Sequence, residues 1–121
     1  MKTLIIPILS LVTFLYFSCS EDDTKVKNDE LTVTISNAEL YEYDFKISGD
    51  EEGATILTQA KHFQVSEIIR DVSTNWSVVY QYKPQAGFTG EDYVEIQTCT
   101  GGQGSGCTDL HTIRINFTVS E

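Results

Sequence analysis

Side-chain character alternates with a period of two residues through much of the chain beyond residue 30, and this pattern limits the fold most strongly. Leu31, Val33 and Ile35 alternate with threonines. A period of two places every second side chain on one face of a β-strand, whereas an amphipathic helix has a period of 3.6. The same alternation recurs at Tyr41, Tyr43, Phe45, Ile47, Trp76, Val78, Tyr80, Tyr82, Val94, Ile96, Ile113, Ile115, Phe117 and Val119. The pattern predicts strands with one buried face.

Turn-forming segments separate most of these predicted strands. Residues 48–53 form an acidic cluster with two glycines, and residues 84–90 contain a proline and two glycines. Such clusters are typical of turns between short strands. Shorter and less regular apolar segments at 54–59 and 62–69 complete the series. We predict an all-β fold over residues 31–121, an antiparallel β-sandwich of about seven strands.

The first residues are typical of an export signal. Lys2 precedes an apolar segment over residues 4–17 that only Ser10 and Thr13 interrupt. A transmembrane helix needs about 20 apolar residues to cross about 30 Å of hydrocarbon, so this segment is too short. A buried helix of the domain is disfavoured because the segment has no polar face for solvent. We predict that residues 1–18 are a signal peptide.

The end of this segment, Tyr16-Phe17-Ser18-Cys19, resembles the lipobox of bacterial lipoproteins. In that family the cysteine receives a diacylglycerol on sulfur and becomes the new N-terminus after cleavage. The resemblance implies that Cys19 carries acyl chains such as palmitate. Each buried methylene contributes about 0.8 kcal/mol, and two or more chains hold a protein firmly on a membrane.

Ser20, Glu21, Asp22 and Asp23 follow this cysteine directly. They resemble the acidic export tag of surface-exposed lipoproteins of the Bacteroidota. The resemblance implies an outer-membrane lipoprotein that faces the cell exterior, and a solvated linker is the alternative interpretation. Residues 19–30 are polar, mixed in charge and without an apolar period, so we expect a flexible tether.

The chain is strongly acidic, with a formal net charge of −10 at pH 7. Binding to nucleic acid or to an anionic membrane by charge requires clusters of Lys and Arg, which this balance disfavours. The expected partners are the membrane, through the lipid, and an envelope protein or a glycan.

The chain has three cysteines, and lipidation of Cys19 leaves Cys99 and Cys107 as a pair. In an oxidising compartment a disulfide between them would contribute about 2.6 kcal/mol by the chain-entropy relation. A zinc site is disfavoured because a second pair of ligands at the required spacing is missing. The glycine-rich segment between them also lacks the Lys-Ser or Lys-Thr of a phosphate-binding loop.

Residues 82–96, YKPQAGFTGEDYVEI, resemble the Y-x-P-x-x-G-F-x-G-x-D-x-(V/F) signature of bacterial Ig-like and cadherin-like repeats. Gly87 and Gly90 are expected to allow a tight corner, Phe88 to close the end of the sandwich, and Asp92 to accept backbone N–H bonds. The resemblance implies a single Ig-like domain, and it indicates a fold rather than an activity.

The sequence does not favour catalysis. His62 and His111 lie outside any metalloprotease or hydrolase motif. Carboxylate pairs occur by chance in a chain this acidic and do not define a glycosidase site. We therefore expect neither an enzyme nor a required cofactor.

Calcium is the alternative cofactor. Cadherin-like relatives bind calcium with carboxylates at domain junctions, and Asp50, Glu51, Glu52 and Asp92 offer oxygen ligands of the right type. The sequence has no D-x-D-x-D-G loop. An acidic, solvated turn explains the same residues.

The combination of anchor and fold predicts a non-catalytic, membrane-anchored lipoprotein that presents an Ig-like interaction module at the cell envelope or surface. A calcium-stabilised structural envelope protein is the first alternative. An enzyme that acts on extracellular polymers is a weaker one, because it would need a concave site that the sequence does not indicate.

Overall fold

The computed structural model describes residues 25–101 and 107–121. It contains seven strands: β1 (Lys25–Ser36), β2 (Tyr41–Asp44), β3 (Gly53–Thr58), β4 (Phe63–Ile69), β5 (Val79–Pro84), β6 (Gly90–Thr100) and β7 (Asp109–Ser120). A 3-10 turn, Val72–Thr74, lies between β4 and β5. Across these two ranges, no helix has the length and apolar character needed to cross a membrane.

The strands form two sheets with the orders β1-β7-β6-β3 and β2-β5-β4. The inward side chains of both sheets meet in one core, so the predicted all-β sandwich is confirmed. Tyr82 stacks on Phe117 with ring centroids 3.9 Å apart, and Tyr41 meets the same ring edge-on at 5.5 Å. The buried core consists of Ile35, Ala60, Tyr80, Tyr82, Val94, Ile96, Ile113, Ile115, Phe117 and Val119.

The connections between strands lie at two ends of the sandwich, which we call the lower and the upper pole. The lower pole contains the start of β1, where Lys25 pairs with Asp109, and the β2–β3 and β4–β5 connections. The upper pole contains the β1–β2, β3–β4 and β5–β6 connections. There the backbone N–H of Asn37 donates to the carbonyl of Ser120 at 2.8 Å.

Strand β1 pairs in parallel with β7, so the prediction of a wholly antiparallel sandwich is wrong at this pair. The other pairings, β2–β5, β3–β6, β4–β5 and β6–β7, are antiparallel. Alternation specifies which face of a strand is buried, but not the direction of its neighbour. Parallel neighbours need a long crossover, and the five strands between β1 and β7 provide it.

The first strand begins earlier than predicted, because residues 25–30 of the expected tether 19–30 belong to β1. They pair along their backbone with residues 109–114 of β7. His111 Nε2 lies 2.7 Å from Asp29 Oδ2, and Lys27 Nζ lies 3.6 Å from the same oxygen. Backbone hydrogen bonds between strands do not require alternating apolar side chains. The alternation in the sequence therefore does not reveal this part of β1. Residues 1–24, which include the signal peptide, Cys19 and the acidic residues 20–23, lie outside the described residues.

Trp76 was expected on the buried face of a strand with Tyr80, and this prediction is wrong. Its side chain is 56% exposed and its backbone has a φ of 64°. Asp71 caps the preceding 3-10 turn by accepting the backbone N–H of Ser73 at 2.8 Å, and Asn75 follows with a φ of 52°. Two consecutive left-handed residues redirect the chain, so the alternation begins only after Trp76.

The corner predicted from residues 82–96 is confirmed. Gly87 and Gly90 have φ values of 79° and 131°, which residues with a side chain rarely adopt. The backbone N–H of Phe88 donates to the carbonyl of Gln85 at 3.0 Å, which closes the turn. The half-buried ring of Phe88 packs against the core at this end.

The predicted disulfide is confirmed, since Cys99 and Cys107 are bonded with their Cα atoms 5.4 Å apart. The bond joins the end of β6 to the residues that lead into β7. It lies at the lower pole.

We expect the double variant Cys99→Ser, Cys107→Ser to lose about 2.6 kcal/mol of free energy of unfolding, because the unfolded chain regains the entropy of the closed loop. Urea unfolding of the oxidised protein and the variant measures this loss. Reducing agent should shift the midpoint of the wild type and leave that of the variant unchanged. Equal midpoints for oxidised wild type and variant would show that the bond does not stabilise the domain.

Candidate functional site

Asp92 is a buried carboxylate at the upper pole, with 6% of the residue exposed. Its Oδ1 accepts the backbone N–H groups of Lys61 and Tyr93, each at 2.9 Å. Its Oδ2 accepts the backbone N–H of His62 at 2.8 Å and the hydroxyl of Tyr82 at 3.0 Å. The prediction that Asp92 accepts backbone N–H bonds is confirmed. The carboxylate ties the β3–β4 connection to β5 and β6.

Two buried tyrosine hydroxyls belong to polar networks beside this carboxylate. Burial raises the pKa of Tyr82 well above its ordinary value, and the negative charge of Asp92 raises it further. Tyr82 therefore keeps its proton and remains a donor to Asp92. Burial also raises the pKa of Tyr80, whose hydroxyl lies 2.6 Å from Ser66 Oγ. Each of the two tyrosine hydroxyls has a hydrogen-bond partner inside the domain, Asp92 for Tyr82 and Ser66 for Tyr80, which suits a structural role.

An open polar groove lies on the outward face of the four-stranded sheet and has a volume of about 550 Å³. We call it the Arg114 groove. It extends from the middle of β1 and β7 to the β3–β4 connection at the upper pole. Its lining includes Glu30, Thr32, Lys61, Tyr93, Arg114 and Asn116.

Arg114 is the centre of a chain of contacts across three strands. Its guanidinium carbon lies 3.8 Å from the ring centroid of Tyr93, a cation–π contact. Its Nε donates to Asn116 Oδ1 at 2.9 Å, and Asn116 Nδ2 donates to Glu30 Oε1 at 2.6 Å. Within the described part of the chain, Arg114 forms no ion pair with a carboxylate. An arginine side chain carries five N–H donors, so Arg114, which lines the groove, has donors beyond the Nε–H that Asn116 accepts.

The groove offers both hydrogen-bond donors and acceptors on a fixed surface. Arg114 and Lys61 supply charged donors, Glu30 and Glu91 supply acceptors, and Tyr93 supplies an aromatic ring. Pockets for drug-sized ligands are mostly apolar and bury most of the ligand surface. An open groove of this composition instead suits a polar ligand that lies along the sheet.

The structure does not bring the four calcium candidates together. Asp50, Glu51 and Glu52 lie in the β2–β3 connection at the lower pole, whereas Asp92 lies at the upper pole. Gly53, which follows Glu52, pairs with Cys99, about 23 Å along β6 from Asp92. In residues 25–101 and 107–121, no three His, Cys, Asp or Glu side chains are grouped to hold a metal ion.

An arginine already occupies the oxygen-rich turn that precedes β3. Arg70 Nη2 donates to the carbonyls of Ser48 at 2.6 Å and Gly49 at 2.8 Å, and Nη1 donates to the carbonyl of Glu52 at 2.9 Å. The Glu52 carboxylate accepts the backbone N–H of Gly49 at 2.9 Å. The guanidinium is therefore the cation that organises this turn.

The two histidines lie in different places. His62, at the upper pole, stacks on Phe88 with ring centroids 4.4 Å apart. His111 lies near the start of β7, and its hydrogen bond lowers the pKa of Asp29. The structure does not combine them into one site.

Comparisons with known proteins assign no family. No protein-family profile and no curated protein matches the chain. Among solved structures, the chain is similar to a cysteine protease inhibitor from Entamoeba histolytica at 12% sequence identity and a TM-score of 0.43. The match covers 78% of this chain and 97% of that chain. No residue role follows from a likeness of this size.

The residues of the Arg114 groove were not identified as a site from the sequence. Alternation does place Arg114 and Asn116 on the face opposite Ile115, so their position on the outward face of the sheet could have been inferred. Their meeting with Glu30 depends on the parallel pairing of β1 with β7. The sequence pattern also places Glu30 in the predicted tether, outside the domain.

Proposed function

We propose that this protein is a lipid-anchored, non-catalytic Ig-like module that presents the Arg114 groove to a glycan at the cell surface. The observation that carries this proposal is the position of the groove relative to the start of the domain. Strand β1 begins at the lower pole, whereas the groove reaches the upper pole. A lipid on Cys19 would leave the groove open to solvent.

Distances along the strands support this arrangement. Cys19 precedes Lys25 by six positions, which span at most about 22 Å of extended chain. Asn116 lies seven residues beyond Asp109 on β7, about 23 Å from the lower pole. The groove is therefore the part of the sheet that lies farther from a membrane-bound N-terminus.

The chemistry of the groove favours a neutral, hydroxyl-rich ligand. Charged groups of both signs line it, so an ion of either sign would meet a like charge. Hydroxyl groups of a glycan can accept from Arg114 and Asn116 and donate to Glu30. The protein's net charge of −10 further disfavours a polyanion.

A calcium-stabilised structural protein and an enzyme are less well supported. The β2–β3 turn, which contained three of the calcium candidates, is organised by Arg70. An enzyme would require a reactive group in the groove. The buried carboxylate among the groups that line it, that of Asp92, is used by three backbone N–H groups and a tyrosine hydroxyl.

Arg114→Gln should weaken glycan binding by at least about tenfold, because a hydrogen bond to a charged group contributes about 1.5–3 kcal/mol. The full chain is first tested against a panel of neutral glycans, and dissociation constants are then measured for the strongest binder. Lys46→Gln is the matched control, since it removes the same charge from the exposed β2–β3 connection. Binding by no glycan in the panel, or equal loss in both variants, would contradict the proposal.

A further inference from the structure

We propose that the β4–β5 connection at the lower pole, which contains Trp76, contacts the surface of a zwitterionic lipid bilayer. The anchored domain then stands on its lower pole in a fixed orientation. This inference rests on the proposed lipid anchor at Cys19, and it adds a second contact that the anchor alone does not supply.

The first observation is the exposure of apolar side chains on this connection. Val72 is 79% exposed and Trp76 is 56% exposed, although apolar side chains of this size are usually covered. Tryptophan combines an apolar ring with a polar N–H group and is enriched where hydrocarbon meets water. The exposed pair therefore suits the headgroup region of a bilayer.

The second observation is that the fold holds Trp76 in this exposed position. The backbone N–H of Trp76 donates to the carbonyl of Asp71 at 2.9 Å, and that of Ser77 donates to the carbonyl of Thr74 at 3.1 Å. Ser77 Oγ also donates to Asp44 Oδ1 at 2.5 Å, which fastens the connection to the end of β2. A left-handed backbone is unfavourable for a bulky residue such as Trp76. The turn thus keeps a strained tryptophan outside the core.

The third observation is where the chain enters the domain. Lys25 pairs with Asp109 at the lower pole, and Ile69 pairs with Val79 where the β4–β5 connection closes at the same pole. Six positions separate Lys25 from Cys19, and they cannot extend beyond about 22 Å. A membrane-bound Cys19 therefore keeps the start of β1, and with it the lower pole, within about 22 Å of the bilayer surface.

The charges at the lower pole favour a bilayer of zwitterionic lipids over an anionic one. Asp50, Glu51 and Asp109 are exposed there and would repel an anionic surface. The exposed cations at this end include Lys46 and Lys27, and Lys27 Nζ lies 3.6 Å from Asp29 Oδ2. The Asp71 carboxylate is occupied by the backbone N–H and the hydroxyl of Ser73. A mainly acidic pole that also exposes Val72 and Trp76 fits zwitterionic headgroups, and the anchor supplies the proximity that charge does not.

The experiment uses the single tryptophan of the chain, so its fluorescence reports on Trp76 alone. The lipidated full chain is incorporated into phosphatidylcholine vesicles whose acyl chains carry bromine, a fluorescence quencher. We expect a blue shift and the loss of most of the emission, relative to the same protein in unbrominated vesicles. The emission of Cys19→Ala mixed with brominated vesicles should remain unquenched, because this variant lacks the anchor that brings Trp76 to the bilayer.

A second variant moves the tryptophan to the other end of the domain. Leu40 is 48% exposed in the β1–β2 connection of the upper pole, so Trp76→Phe combined with Leu40→Trp places the probe there. This variant should float with the vesicles and keep its emission. If the wild type floats with the vesicles and also keeps its emission, the membrane contact is overturned while the anchor stands. If the wild type does not float, the anchor is overturned and the inference with it.

Discussion

Replacing Asp92 by alanine is expected to lower the free energy of unfolding by about 3 kcal/mol or more. Three backbone N–H groups and the hydroxyl of Tyr82 donate to this carboxylate. The variant leaves these donors without their acceptor in a region where Asp92 itself is only 6% exposed. Urea unfolding, followed by circular dichroism, measures the loss.

Glu91→Ala is the matched control for this substitution. Glu91 is the exposed neighbour of Asp92 on β6, so its removal should change the free energy of unfolding by no more than about 0.5 kcal/mol. The loss in free energy of unfolding for Asp92→Asn should fall between those of Asp92→Ala and Glu91→Ala. An amide keeps one acceptor oxygen, but its NH₂ group faces the other donors. Indistinguishable midpoints for Asp92→Ala and Glu91→Ala would refute the assigned role of the carboxylate.

Replacing Cys19 by alanine is expected to move the protein from the membrane fraction to the soluble fraction. Acyl chains contribute about 0.8 kcal/mol for each buried methylene, and the variant has no sulfur to receive them. Fractionation of cells, followed by immunoblotting, gives the distribution.

Ser10→Ala is the control, because it changes the apolar segment without touching the cysteine. It should remain in the membrane fraction like the wild type. The assigned anchor would be refuted if Cys19→Ala also remained there after washing with high salt.

The buried faces of the strands could be predicted because a period of two is a local property of the sequence. Ile113, Ile115 and Phe117 alternate with polar residues, and all three are buried. The direction of β1 could not be predicted, since its parallel pairing with β7 joins residues more than eighty positions apart. Trp76 was misplaced because a capped turn and two left-handed residues interrupt the strand pattern.

The sequence predicts less of the candidate site than of the fold. Asp92 was correctly expected to accept backbone N–H bonds, because it belongs to a recognisable corner motif. The Arg114 groove requires side chains from β1, β6 and β7 to align, and single-strand patterns do not contain that register. The four calcium candidates are all carboxylates, but they lie at opposite poles of the domain. Arg70 already binds the backbone carbonyls of the turn that contains three of them.

Mass spectrometry of the N-terminal peptide from membrane-purified protein tests the central claim most directly. We predict that the first residue is Cys19, that its sulfur carries a diacylglyceryl group, and that its amino group is acylated. The same peptide should be absent from the Cys19→Ala variant. A peptide with unmodified Cys19, or one that continues unbroken from Tyr16 through Asp22, would contradict a lipid-anchored module.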